Sequence, residues 1–292
     1  MSLKSVLVPM TAAPIDRAAL DLALALARPT DAHVEALYAR RDPREAIAYA
    51  GMGTGADMVA IGPIMEQLER EGREGSERAR GTFDAWRAAH AVAEAVKPDP
   101  YPHVTGGWRE ETGMRDQTVM QAAARADLVV CPALQSEPGP EQELLETALF
   151  GAARPVVTAP ARLPADPFRH AVLAWNGSHE ANRALAATLA LLPRFETLHV
   201  FCRAESHRAA AFPNDAVELL AWHGVKAQVL SFGASKASGE AIGAELLKAA
   251  QSVDASFLIM GAYTHGRVRQ MVFGGATHHI LHHAAMPVLL VH

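Results

Sequence analysis

The residues best suited to chemistry lie in two glycine-bearing loops of the C-terminal half. One reads Trp175-Asn176-Gly177-Ser178-His179-Glu180. The other runs from Gly261 through Thr264, His265, Gly266, Arg267 and Arg269 to Gly274, Gly275, Ala276 and Thr277. Glycines let backbone amides come close to an anion, two arginines add positive charge, and a helix expected to begin near 276 would offer its free N–H groups to a phosphate. An N–H of the His265 imidazole can donate to a phosphate oxygen. Asn176 offers an acceptor oxygen and a donor without a charge, while Trp175 and Trp108 read as packing residues.

Other chemistry finds less support. Eleven of the fourteen histidines lie from His170 onward, and His278/His282 and His279/His283 stand four apart on one expected helix. Two imidazoles at that spacing share a helix face, but no Cys or carboxylate nearby completes a metal shell, so they read as a solvent-facing or loosely paired set and no metal site is expected. There is no G-x-x-x-x-G-K-[Ser/Thr] and no G-x-S-x-G. Ser235-Lys236-Ala237-Ser238-Gly239 reads as a polar turn and helix cap. No catalytic residue is identified. Cys131 and Cys202 have no zinc or redox spacing and suit a reduced compartment as small buried hydrophobes.

These loops need a scaffold, and 292 residues give roughly two domain lengths. Half the residues are apolar and a fifth are charged, which excludes disordered and fibrous classes. A net charge of −5 gives no footprint for DNA, RNA or anionic lipid, so no nucleic-acid or membrane partner is expected. The N-terminal apolar run is too short for a secretory signal, and Asp21 interrupts the apolar stretch Ala18–Ala27. A cytoplasmic chain is expected.

The halves repeat one another. Ser5-Val-Leu-Val-Pro-Met lies over Ala171-Val-Leu-Ala-Trp-Asn, Ala126-Asp-Leu-Val-Val-Cys over Ala255-Ser-Phe-Leu-Ile-Met, and Ala152-Ala-Arg-Pro-Val-Val over Ala284-Ala-Met-Pro-Val-Leu. Short apolar runs alternate with segments of helical period, which predicts an α/β fold of two tandem doubly wound domains, each with a five-stranded, mainly parallel sheet. Strands are expected near 4–9, 33–38, 102–107, 127–131 and 155–159, then near 171–176, 197–202, 226–231, 256–260 and 287–291. Helices of the second half are expected near 179–192, 213–223, 238–251 and 276–284. The domains would be 1–160, with a helical insertion at about 40–100, and 168–292, joined by the proline-rich Pro160–Pro167. Within the insertion, Gly51-Met-Gly53-Thr-Gly55 reads as a loop and Glu66–Arg80 as a solvated, salt-bridged helix.

Gly261–Thr277, followed by His278-His-Ile-Leu-His-His-Ala-Ala-Met-Pro-Val, resembles the C-terminal segment of the universal stress protein family, and Ala171–Ala190 resembles that family's first strand and helix. The resemblance implies an adenine-nucleotide alpha-hydrolase-like fold, a dimer or tandem pair, and in some members ATP binding through G-x2-G-x9-G-[Ser/Thr]. Gly261 and Gly274 match the first and third glycines. Thr264 replaces the second and narrows the approach to ribose and phosphates; Gly275 replaces the final Ser/Thr, with Thr277 two positions later. Asn176 stands where the family has an aspartate. The implied ligand is ATP or AMP, with Mg accompanying ATP. The implied nucleotide site is Ala174, Trp175, Asn176, Gly261, Thr264, His265, Gly266, Gly274, Gly275, Ala276 and Thr277, with Asn176 facing the adenosine. In the first half, Pro132–Glu143 has one glycine and several glutamates, so that half is expected not to bind nucleotide. The function implied is stress-response regulation without a catalytic apparatus, in an internal pseudo-dimer that can also pair as a homodimer. A ligand-free interaction module and a nucleotide-handling enzyme of a related class are the alternatives.

Overall fold

The computed structural model describes residues 3–44, 58–97, 103–135, 139–189, 191, 195–203, 213–232, 238–262 and 273–292. Two compact units result, Leu3–Cys131 and Pro132–His292. In the first, strands β1 (Ser5–Pro9), β2 (His33–Arg41), β3 (Ala93–Glu94), β4 (Thr105–Gly113) and β5 (Leu128–Pro132) lie parallel in the order β3-β4-β2-β1-β5. Helices α1 (Asp16–Ala27), α2 (Met58–His90) and α3 (Arg115–Ala123) connect them. Val6, Leu7, Val8, Leu128, Val129 and Val130 are all buried, which is why these central strands are continuous apolar runs.

The second unit begins with α4 (Pro140–Glu146), which continues into a wide turn at Thr147–Gly151, and β6 (Val156–Ala159). After Pro160–Arg169, which is neither helix nor strand, come β7 (His170–Ala174), α5 (His179–Thr188), β8 (Thr197–Arg203), α6 (Pro213–Trp222) and β9 (Ala227–Phe232). The chain ends with α7 (Gly239–Ser252), β10 (Phe257–Gly261), α8 (Gly275–His283) and β11 (Val288–Val291). The sheet order is β6-β11-β10-β7-β8-β9, parallel throughout except that β6 adds to β11 antiparallel. Each half is therefore a doubly wound α/β unit, as the strand spacing predicts. Among the described residues no helix is long and apolar enough to cross a membrane.

Four differences from the expected elements concern the first half. Its fifth strand, expected near 155–159, is β6 and pairs antiparallel with β11 in the Pro132–His292 unit, and the two-residue β3 lies within the expected helical insertion. Strands β2 and β4 run on to Arg41 and Gly113, past the expected ends near 38 and 107, because charged side chains pair across them: Arg109 Nη2 to Glu35 Oε2 at 2.7 Å and Arg40 to Glu110 at 3.8 Å. The insertion helix is only partly solvated. Glu69–Arg73 and Glu74–Arg78 form i,i+4 pairs on its outer side, yet Gly75, Ser76, Ala79, Phe83 and Trp86 are buried as a stripe three to four residues apart. The density of charge conceals a narrow core-facing side. Gly51–Gly55 lies outside the described residues.

Candidate functional site

Chain order in the second sheet reverses beside β7, which has β8 on one side and β10 on the other. Ligands of open α/β sheets bind beyond the carboxyl ends of strands at such a point. Ala174 pairs in register with Met260, so Trp175 and Gly261 leave the sheet side by side. Trp175 is buried and its backbone N–H donates to the carbonyl of Phe201 at 2.8 Å, which fits the packing role expected of it. Exposed Asn176 accepts the Ser178 N–H on Oδ1 at 3.0 Å, Gly177 turns at φ +68°, and Ser178 Oγ caps α5 by accepting the Ala181 N–H at 3.1 Å. Asn176 thus spends its acceptor oxygen on the turn.

Gly261 answers to packing. A Cβ there would stand 2.6 Å from Glu180 Cβ and 2.7 and 2.8 Å from the backbone of Glu180 and Ala181, so only glycine lets β10 end against the first turn of α5. Beyond it, the Ala262 carbonyl accepts from His292 Nδ1 at 3.2 Å, and Phe150 packs on both His292 and buried Phe273.

The start of α8 differs from those of α5 and α7. Ser178 and Ser238 cap the latter two, Ser238 Oγ accepting the Ala241 N–H at 3.4 Å as the expected polar cap, whereas Gly274 brings no side chain to α8. The first turns of α7 and α8 touch. A Cβ on Gly275 would stand 3.1 Å from the Glu240 nitrogen, one on Gly239 3.2 Å from the Ala276 nitrogen, and one on Gly243 2.8 Å from the Ala276 oxygen. Two helix N-termini in contact concentrate positive potential, and an anion is favoured beside them. Thr277 is buried on the first turn of α8. Thr264, His265, Gly266, Arg267 and Arg269 lie outside the described residues.

The matching loops of the first half carry their own carboxylates. After β1, the Thr11 and Ala12 N–H groups and the Thr11 hydroxyl all donate to buried Asp16, at 2.6–3.0 Å, with Ala12 at φ +66°. At α4, the buried Glu141 side chain folds over Gly139, which like Gly274 is an N-cap, and accepts the Gln135 N–H at 3.2 Å. Carboxylates are expected to repel a phosphate in the second of these loops, and there Glu141 already takes the Gln135 amide, as Asp16 takes the Thr11 and Ala12 amides of the first. Either residue could have been flagged as an acid in the first turn of its helix.

Burial raises the Asp16 carboxyl above its ordinary 3.8, against the lowering effect of its hydrogen bonds from Thr11 and Ala12. The folded chain therefore keeps this proton to higher pH than the unfolded chain. The stability linked to it is fully present below about 3.8 and is lost as pH rises through the folded-state value. Asp16→Asn removes the titration, so its cost in urea unfolding is expected to shrink between pH 3.5 and neutrality. A cost that grew with pH would show the hydrogen bonds outweighing desolvation.

On α8 the imidazoles pair, His279 stacked on His283 and His278 tilted by 32° against His282, each at 4.2 Å between centroids. The Nδ1 atoms of His282 and His283 donate to the carbonyls one turn back. Among the described residues no group of three or more His, Cys, Asp or Glu is arranged to hold a metal. Both cysteines are buried and unpaired. Burial pushes the Cys131 thiol up, and that of Cys202 up to about 11, so neither is a ready nucleophile.

Fold and loops together define a doubly wound α/β protein of tandem form, with a crevice in the second half where β7 and β10 end. Residues 167–292 match the family described as "Universal stress protein family". A universal stress protein from Archaeoglobus fulgidus DSM 4304 superposes with a TM-score of 0.68 at 13% identity, over 98% of this chain and 97% of that one. A functionally unknown protein from Pseudomonas aeruginosa PAO1 does so with a TM-score of 0.53 at 15% identity, over 99% and 92%. Identities this low establish a shared fold across both halves. No curated protein matches the chain.

Proposed function

We propose that the protein is a cytoplasmic stress-response regulator whose second half binds an adenine nucleotide, ATP or AMP, and which has no dedicated catalytic apparatus. The observation that carries this reading is the abutment of the uncapped start of α8 on the start of α7 at Gly275 and Gly239, next along the chain from the β7–β10 crevice loops. Amides of Gly274–Thr277 would hold phosphates and Asn176 would face the adenosine through its amide. Mg would accompany ATP through the phosphates, and any hydrolysis would be slow for want of a base. Asp16 and Glu141 make the first half a supporting partner that does not bind nucleotide. An internal pseudo-dimer of the two halves belongs to this reading, and the edge strand β9 leaves a route to homodimers.

The test is to denature freshly purified protein, identify released nucleotides by mass spectrometry, and titrate emptied protein with Mg-ATP and AMP by calorimetry. Saturable binding that Gly274→Pro or Gly275→Asp weakens about tenfold is expected. Recovery of no nucleotide together with no heat at millimolar Mg-ATP or AMP would overturn the reading in favour of a ligand-free interaction module. Multiple turnover well above background would instead favour the enzyme.

A further inference from the structure

A second cleft lies wholly within the Leu3–Cys131 unit, at the amino ends of β1, β2 and β4, the end of the sheet opposite the crossover loops. Its volume is about 670 Å³, within the usual range of small-molecule sites, roughly 300–1,000 Å³. We propose that it binds an amphipathic organic anion: a carboxylate on an aromatic or alkyl body.

The floor follows from strand register. Ser5, His33 and Thr105 pair in one row, and Leu7 pairs with Glu35 in the next residues along on the same sheet face. His33 Nδ1 and Thr105 Oγ1 lie 2.9 Å apart, and the ring rests over Gly107, where a Cβ would stand 2.7 Å from Nε2. Glycine at 107 therefore makes room for a polar floor in place of an ordinary packed sheet face. Burial holds the imidazole below its usual value, so His33 is a neutral hydrogen-bonding group at pH 7. The Glu35 charge is taken up by Arg109 Nη2 at 2.7 Å, which removes the main repulsion an entering anion would meet.

The walls supply the apolar part. Leu7, Ala95, Ala122 and Ala126 are buried, and Val96 stands 89% exposed at the rim. Together these apolar groups form one wall along which a ligand's apolar body can lie. Next to it, Lys97 and Arg125 are exposed and form no ion pair among the described residues. Lys4, whose Nζ donates to the Thr30 carbonyl, and Arg109 also line the cleft, but Arg109 is held between Glu35 and Glu111 and Asp127 sits on the Lys4 backbone N–H, so the cations left for a ligand are Lys97 and Arg125. On a chain of net charge −5, two cations free of ion pairs at the rim of one cleft favour an anion over a neutral or cationic ligand.

The probe pair is 1-naphthaleneacetate and its neutral amide, titrated into the intact ¹⁵N-labelled chain. Saturable shifts at Val96, Lys97, Ala126 and His33 amides are expected with the acetate, and about tenfold weaker binding of the amide. Lys97→Glu combined with Arg125→Glu, both at exposed positions, should weaken the acetate by about tenfold or more and leave the amide within about twofold. No saturation up to roughly 10 mM, equal binding of acetate and amide, or shifts confined to other surfaces would overturn the proposal. The comparison of acetate with amide is made on the unsubstituted chain, so it stands whatever the charge reversal does to the fold. The nucleotide reading is untouched by either result.

Discussion

Trp86→Ala will lower the unfolding free energy of the Leu3–Cys131 unit by about 3–5 kcal/mol, the range for emptying a large aromatic site in a core. Trp86 is fully buried, with the Phe83 ring at 5.6 Å, and Phe83 reaches Trp108 of β4 at 5.9 Å. The Arg80 guanidinium lies over the Phe83 and Trp108 rings at 5.8 and 5.6 Å, so a charged residue of the insertion helix lends its stem to the same cluster. At the end of α2, His90 Nε2 lies 3.0 Å from Asp21 of α1, tying the insertion to the first helix of the unit. Trp86→Phe should cost well under half as much as Trp86→Ala. The indole N–H is buried without a partner, and removing it offsets part of the lost volume. Hydrogen exchange of β2 and β4 amides in low denaturant reads both variants on the right unit. A cost below about 1 kcal/mol for the alanine variant would mean that the inner side of α2 is not core.

That cluster marks where the sequence stops being legible. Phe257-Leu-Ile-Met and Val288-Leu-Leu-Val declare themselves as strands because burial on both faces leaves unbroken apolar runs, and their observed bounds agree with expectation to within a residue or two. The inner stripe of α2 does not. Gly75, Ala79, Phe83 and Trp86 are spread among arginines and glutamates, and only the presence of Tyr38, whose hydroxyl fills the space a Gly75 Cβ would need, shows what they face. The ends of β2 and β4 are hidden for a related reason, since Arg40, Arg109 and Glu110 look like loop residues until the register brings Arg40 to Glu110 and Arg109 to Glu35. The same holds at the candidate site. The two loops can be quoted from sequence, and the Ser178 and Ser238 caps follow from local chemistry. That Gly261 serves α5 and that Gly239 and Gly243 serve α8 are contacts between distant segments, and spacing alone does not encode them, whereas Asp16 and Glu141 reach amides only four to six residues away and are local signals.

Gly261→Val tests the most consequential of those contacts. A β-carbon at 261 meets Glu180 and Ala181 at 2.6–2.8 Å, and two of the three nearest atoms are backbone, so no rotamer change relieves the clash and the start of α5 must move. Overpacking of this kind costs typically 1–3 kcal/mol, and valine, branched at the contact, should fall at or above the upper end, about 3 kcal/mol. The displacement has a second consequence, because α5 begins in the turn that holds Asn176, Gly177 and Ser178. Nucleotide binding by the second half should therefore weaken more than the stability loss alone accounts for, when measured well below the unfolding midpoint. Gly81→Ala supplies the contrast. Gly81 is exposed in the middle of α2 with nothing within 4 Å of an added Cβ, so there alanine should stabilise by about 0.5–1 kcal/mol through the lost freedom of the unfolded chain. Opposite signs at the two glycines would place the requirement at 261 in the approach of α5 to β10. A neutral Gly261→Val would show that α5 yields, and the glycine would then need a ligand to explain it.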